Sequence, residues 1–474
     1  MRKLTAPLLA LSVLVATAVT AQDSIPYLTG KVTISIHQGT LDCDLTLKNY
    51  PHIGDYLIRL NSGMNIRYFR SVQPDFKIYY DRSLTDSTAT DETNGYSFPA
   101  DPKQGGKFLP QAIRFRYTGK YPVITDTALS GEVSVDDWRG NIAFNGTTFR
   151  ADGLQSCWYP VLYNIKTKQR YDHLKYDLEV DCPDCKVIYI NGTTPVSGPH
   201  ARLHSDVPRE LFIYAGDIMV VNSGGSNFLN ADLDQTHLRS FTKTTEDIKH
   251  FYESRMKVPI TDTVTYVQAN PTAPNHAWAF IAFPSIINVG FGKYALNSYA
   301  DPRENDWLVQ TVSHELGHYY FGTLRRFTTW FEPVLNEGLA EFLALNVLHS
   351  IRTDSGYQKA IARKIKAMKD FKPLPFARLT SSQGFHDREL YVYYFAPLVY
   401  LAIQKEIGEK ATWEWMHQLL TMPADRTDYG FLEATLGKAL GDPARLATLK
   451  AKYFDSDEAL GNAIQTLNPA PKTP

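Results

Sequence analysis

The sequence predicts an α+β protein of more than one domain, an N-terminal antiparallel β-sandwich followed by a mostly helical domain. Three observations carry this reading. A chain of 474 residues is longer than one ordinary hydrophobic core organises. From Asp23 to about Asn230, short segments alternate apolar and polar residues and turn residues break them at short intervals. Beyond a boundary near 231–240 the pattern becomes that of helices and stays so nearly to the end.

Taken in order, residues 1–21 read as an export segment. Arg2 and Lys3 give a basic start, 8–18 an apolar core, and Val19-Thr20-Ala21 a small-residue cleavage site. Cleavage is expected after Ala21, leaving a periplasmic or secreted chain. The apolar run is short for an anchor, and no later stretch reaches the ~18 apolar residues of a bilayer span, so no stable membrane insertion is expected. The sandwich is assigned to 22–235, with strands at 31–36, 56–60, 113–117, 176–180 and 186–190 and a hairpin turn at Asn191-Gly192. Residues 84–107, rich in Thr, Ser, Asp and Gly, read as an exposed loop. The 49 basic and 50 acidic residues balance to a net charge of -1 with no long Lys/Arg run, which argues against a nucleic-acid-binding surface. Four cysteines, Cys43, Cys157, Cys182 and Cys185, favour disulfides in an exported protein. Three pairings are possible, and Cys182-Pro183-Asp184-Cys185 is read as a bridged turn in preference to a redox or metal half-site, there being no second C-x-x-C.

The second domain is assigned to 236–474. Thr244-Thr245-Glu246 is expected to open a helix through Met256, followed by strands at 263–267 and 277–282. Asp301, Pro302 and Glu304 are start signals for a further helix, and Gly322 is a stop. A second helix opens near Pro333 and runs apolar through Leu339, Phe342, Leu345 and Leu348. Helical patterns follow at 355–370, 394–407, 409–421, 428–440 and 442–453.

The chemistry is concentrated in these two helices. The first contains His314-Glu315-Leu316-Gly317-His318, or H-E-x-x-H. Histidines four apart lie on one helix face and can share one zinc ion, and Glu315 beside them can reach the attacking water. Zinc needs a third protein ligand to leave a fourth position open. After eighteen residues, 319–336, Glu337 supplies it within Asn336-Glu337-Gly338-Leu339-Ala340-Glu341. Glu341, one turn further on, can accept the outer ring N–H of His314, the alternative being a solvated helix glutamate.

H-E-x-x-H, eighteen residues, then N-E-G-x-A-E resembles the gluzincin zinc peptidases, most closely the aminopeptidase N type. The resemblance implies a thermolysin-like catalytic domain, one zinc ion on His314, His318 and Glu337, Glu315 as general base, and a peptide or protein substrate. In that family a tyrosine just before a helix helps to stabilise the oxygen that becomes negative. By resemblance this role falls on Tyr393, with Pro397 in the first turn of the helix and Tyr391 and Tyr394 as rivals, although Phe395 and Ala396 replace the family's Lys-Gly. Cys157-Trp158-Tyr159-Pro160, with 176–178, is similar to the family's N-terminal β-domain.

The chain also departs from that family. Its aminopeptidases carry Gly-x-Met-Glu-Asn upstream of the histidines, with a glutamate that binds the substrate's amino terminus. The matching region is read as 286–298, and no acidic residue occurs between Asp262 and Asp301. Residues 290–296 can still form an edge strand that pairs with an extended peptide, or a glycine-containing turn. No covering helical domain is expected after the catalytic one. Glu332 and Glu341 are conceivable replacements for the missing glutamate, while Asp301 and Glu304 sit too far from the histidines. The expected function is an exported zinc peptidase of uncertain exo or endo mode. The alternatives are a zinc amide or ester hydrolase, and a binding protein that retains zinc, for which an intact Glu315 is superfluous.

Overall fold

The computed structural model describes residues 25–72, 75–78, 80–83, 93–101, 106–126, 142–272, 278–290, 295–296, 306–352 and 354–468. The export segment, the helix-start signals Asp301, Pro302 and Glu304, much of the expected 84–107 loop and the tail from 469 lie outside the described residues.

The N-terminal half is built from sheets that share one core. A seven-stranded sheet runs in the order His200–Glu210, His173–Asp181, Tyr27–Ser35, Thr40–Lys48, Ala112–Lys120, Met64–Val72, Asp75–Ile78. In Thr40–Lys48 the alternation puts Leu41, Cys43, Leu45 and Leu47 inside and polar residues outside. One pairing differs from the expected antiparallel pattern, since Tyr27–Ser35 runs parallel to His173–Asp181. These strands are far apart in sequence, so no hairpin dictates their direction. Two five-stranded sheets and a two-stranded pair, Ala100–Asp101 with Gly106–Lys107, complete the described part of this half. One of the five-stranded sheets turns Val187, Tyr189, Phe212 and Tyr214 toward Val267, Ala282, Ile287 and Val289 of the second half, which makes a continuous apolar seam.

Cys182 and Cys185 are bridged, whereas Cys43 and Cys157 are buried free thiols. Burial raises the pKa of both free thiols, that of Cys157 to about 11, so they behave as core residues rather than nucleophiles.

The second half opens with a five-stranded sheet in the order Val220–Ser223, Ser226–Leu229, Thr265–Ala269, Ser285–Val289, Trp278–Ala282. Val220–Leu229 therefore hydrogen-bonds into the second sheet although it precedes the boundary placed at 235. The first helix, α1 (Gln235–Met256), begins nine residues before the expected start at Thr244. Asp234 is the reason, because its carboxylate accepts from the backbone N–H of Thr236 and His237. Next come α2 (Asp306–Gly317) and α3 (Glu332–Ile351). The latter is buried on every side, as a helix apolar all round must be. Helices α4 (Asp354–Ala367) and α5 (Ala396–Ile407) pack against it, and α6 (Glu409–Thr421), α7 (Tyr429–Leu440), α8 (Pro443–Leu449) and α9 (Ala459–Leu467) extend the same core beyond α5. The last of these carries no cap signal and is absent from the sequence expectation.

Candidate metal centre and cleft

Helix α2 ends at Gly317, one residue before the second histidine of the motif. The chain then tightens, with His318 N–H donating to Glu315 O and Tyr319 N–H to Leu316 O. Gly322, expected as the helix stop, lies beyond this turn with φ +139°. At Gly317 a Cβ would stand 3.3 Å from Ala340 Cα, so glycine is what lets α2 lie against α3. That approach brings the motif and Glu337 together.

The three candidate ligand atoms converge. His314 Nε2 is 3.2 Å from His318 Nε2, and each lies 3.3 Å from Glu337 Oε2. The outer nitrogens are already spoken for. His314 Nδ1 meets Glu341 Oε2 at 3.1 Å, and His318 Nδ1 meets Asn336 Oδ1 at 2.9 Å and Phe321 O at 3.2 Å. All these partners are acceptors, so both Nδ1 atoms carry the proton and both Nε2 atoms present lone pairs. Two lone pairs and a carboxylate oxygen facing one point repel one another unless a cation sits between them. Tetrahedral zinc with ligands at 2.0–2.1 Å requires ligand atoms about 3.3–3.4 Å apart, which is the spacing found. The donor set therefore fits zinc.

The carboxylates around the centre draw positive charge to it, whether a proton or a metal ion. Burial lowers the basicity of His314, but Glu337 and Glu341 outweigh it and raise its pKa to about 10. Burial pushes Glu337 up, yet His318 and His314 hold it well below the ordinary carboxylate range. Glu341 is brought to about 2, burial being overcome by Lys364 and His314. Glu315 is buried and its pKa is raised by that burial, with the two histidines opposing.

Tyr393 stands beside the centre, its ring 5.8 Å from that of His314. Its hydroxyl meets Glu337 and Arg388, and burial raises its pKa well above the phenol range. It does not sit at a helix mouth. Leu390–Phe395 is a π-helical turn that runs straight into α5. The rival Tyr391 is fully buried and donates to Leu374 O, away from the centre.

A cleft of about 960 Å³ runs past these groups, with Glu315, Tyr393 and Arg388 on one side and Asp152, Asp172 and Glu210 of the β-domain on another. The strand that borders it is Trp278–Ala282, the outermost of its sheet; of the 286–298 segment only 286–290 and 295–296 are described, and none of these lines the cleft. Ser285–Val289 is paired on both sides, and 291–294 lie outside the described residues. On this side the described cleft wall is therefore Trp278, Phe280, Ile281 and Phe283, none of them a carboxylate. Of the conceivable replacements, Glu332 lines the cleft and hydrogen-bonds Asn336, whereas Glu341 is engaged by His314, Gln310 and Lys364. Asn336, Gln310, Lys364 and Arg388 were not singled out from the sequence. Only Asn336 carried a signal, its place beside Glu337 in the motif.

The β-domain carboxylates are also engaged. Asp172 pairs with Arg170 at 2.9 Å, Arg326 at 2.6 Å and His173 at 3.1 Å. Asp152 accepts from the backbone of Gln155 and Ser156. Glu210 Oε1 accepts from the N–H of Gly153 and Leu154, and burial, then Asp152 and Asp172, raise its pKa to about 8.

A β-domain joined to a helical domain, with H-E-x-x-H and a following glutamate closing on one point, defines a gluzincin-type zinc metallopeptidase. Residues 294–417, which hold all three candidate ligands and Glu315, match the model of the peptidase family M1 domain. No curated protein sequence matches. Among solved structures, the M1 zinc metallopeptidase of Deinococcus radiodurans, a variant bound to a Tyr-Ser-Ala substrate, is 15% identical with a TM-score of 0.59 over 90% of this chain and 93% of that one. Native yeast LTA4 hydrolase is 13% identical with a TM-score of 0.63 over 95% of this chain and 68% of its own. The same yeast enzyme with bestatin gives 12% and 0.64 over 91% and 68%.

Proposed function

We propose that the protein is an exported zinc peptidase that cleaves peptides without requiring a free amino terminus. The observation that carries the second part is the apolar, carboxylate-free edge strand Trp278–Ala282 along the cleft. An extended peptide can add to such an edge through backbone hydrogen bonds. A substrate ammonium there would be desolvated without a partner, at a cost of several kcal/mol. The β-domain carboxylates offer little compensation. Asp172 is neutralised by two arginines, and Glu210 holds its proton up to about pH 8.

His314, His318 and Glu337 hold the metal, and Glu341 and Asn336 fix the two imidazoles with Nε2 inward. Zinc, when bound, supplies the charge that polarises the scissile carbonyl and acidifies the attacking water. Glu315 accepts the water's proton and returns it to the leaving amine, a role suited to a carboxyl whose pKa burial has raised. Tyr393 donates its hydroxyl hydrogen to the oxygen that becomes negative as the carbonyl is attacked.

The test is a peptide pair, one with a free amino terminus and one acetylated, given to protein whose zinc content has been measured. One zinc per chain, loss of turnover on chelation and similar rates on both peptides are expected. Release of single residues from the free peptide alone would make the enzyme an aminopeptidase with a relocated anchor. Full activity without zinc, or turnover of simple esters and amides but of no peptide, would end the peptidase reading.

A further inference from the structure

We propose that Lys364 is a positioning residue that sets the distance between the metal centre and Tyr393, an inference that rests on the reading of Tyr393 given above. Lys364 lies on α4 and is 4% exposed, an unusual place for an ammonium group. Its Nζ has two oxygen partners. One is Glu341 Oε1 at 2.5 Å, and the other is the backbone carbonyl of Tyr393 at 2.7 Å. The ammonium also stands 4.8 Å from the ring centroid of Tyr394.

The need for the second contact is written in the sequence. A helical carbonyl normally accepts from the N–H four residues on. Four residues after Tyr393 stands Pro397, which has no N–H to give. The turn widens to a π-helix at Leu390–Phe395, and Lys364 donates to the carbonyl that Pro397 cannot serve. Losing a charged donor to a buried carbonyl is costly enough to move a turn.

The first contact fixes where the lysine can be. Glu341 Oε2 is held by His314 Nδ1, and Oε1 also receives Gln310 Nε2. Gln310 is in turn held through Oε1 by Arg363, the residue before Lys364. The chain metal ligand, Glu341, Lys364, Tyr393 backbone is therefore continuous and buried. It transmits the position of His314 to the turn carrying the phenol. An oxyanion donor works only when held within a fraction of an ångström of the oxygen it serves, so a side chain that never touches substrate can govern turnover.

The experiment compares wild type, K364M, Y393F and K364M/Y393F, all zinc-loaded. Zinc content, kcat, KM and affinity for a phosphinic peptide mimicking the tetrahedral species are measured. The expected result for K364M is one zinc per chain, KM within about twofold, and kcat and phosphinic-peptide affinity each down at least ~10-fold. The double variant should be no more than about twofold slower than Y393F alone, because both changes disable the same donor. If K364M does not fold, K364Q, which keeps a hydrogen-bond donor without the charge, is read in the same way. Wild-type kcat in the folded variant would overturn the proposal, as would loss of zinc or multiplicative effects in the double variant. Wild-type kcat in Y393F would instead bring down the reading of Tyr393 itself, and the lysine proposal with it.

Discussion

Replacing Glu315 with Gln removes a proton acceptor while keeping the shape of the side chain, and the site geometry makes the outcome specific. The Glu315 side chain forms none of the contacts that arrange His314, His318 and Glu337, whose ligand atoms stand 3.2–3.3 Å apart, nor those to Glu341 and Asn336. The three ligands should therefore stay in place, and zinc affinity should change by no more than about tenfold through the lost nearby charge. Turnover should fall far more. A positioned general base contributes about 10²–10⁴-fold, or roughly 2.7–5.4 kcal/mol at 1.36 kcal/mol per factor of ten. The assay is kcat/KM on a fluorogenic peptide beside metal analysis of the same preparation, with a competing chelator to rank zinc affinity. A fully loaded E315Q enzyme within tenfold of wild type would mean that the proton leaves by another route. A zinc-free variant would mean that Glu315 supports the metal.

Asn336→Ala takes away the side-chain acceptor of His318 Nδ1, leaving only Phe321 O at 3.2 Å, so zinc should bind about 10–100-fold more weakly in chelator competition, and unchanged affinity would refute the role. Glu210 bears on stability against pH. Its carboxyl has an ordinary pKa of 4.5 and is raised in the fold to about 8, so the native state binds the extra proton and this contribution is full below about pH 4.5 and lost as pH rises toward 8. The loss has an upper limit of about 1.4 kcal/mol per pH unit, and denaturant midpoints measured from pH 5 to 8 should show a flatter decline for Glu210→Gln than for wild type; parallel curves would refute it.

The candidate metal ligands were legible because a metal centre would force residue types into fixed spacings. Two histidines one turn apart and a glutamate on the next helix satisfy zinc under narrow constraints. The buried helix α3 was equally plain from its apolar positions Leu339, Phe342, Leu345 and Leu348. The start of α1 was missed because one carboxylate, Asp234, decides it, and helix propensity around Thr244 gives no hint of a cap ten residues earlier. For a different reason, Trp278–Ala282 was not singled out as the cleft strand. Trp278–Ala282 and Ser285–Val289 are both short and apolar, and nothing local distinguishes an outer strand from an inner one. That distinction exists only once Thr265–Ala269 has paired with Ser285–Val289. Lys364 was invisible on similar grounds, since a lysine in an amphipathic helix reads as solvated until its partners arrive from α3 and the turn before α5.

The pairing pattern also explains why the β-domain belongs to the site rather than beside it. Asn191, fully buried, donates to the carbonyls of Ala282 and Phe283 at 3.0 and 3.1 Å, while its own Oδ1 accepts from Phe212 N–H. Tyr189 meets Ser285 Oγ at 2.7 Å, and Tyr214 donates to Gln268 O. These contacts pin the end of the edge strand and its neighbours from the N-terminal side. Asp172 adds a charged tie to Arg326, which lies in the connection between α2 and α3, the two helices that carry the candidate ligands. Each tie is buried or partly so, and breaking one leaves a polar group without its partner, which costs more than the contact contributes when whole. The distance between the apolar strand and the metal centre is therefore fixed by two domains together. On the proposed reading, a peptide laid along Trp278–Ala282 would meet Glu315 and Tyr393 in a register that neither domain could set alone.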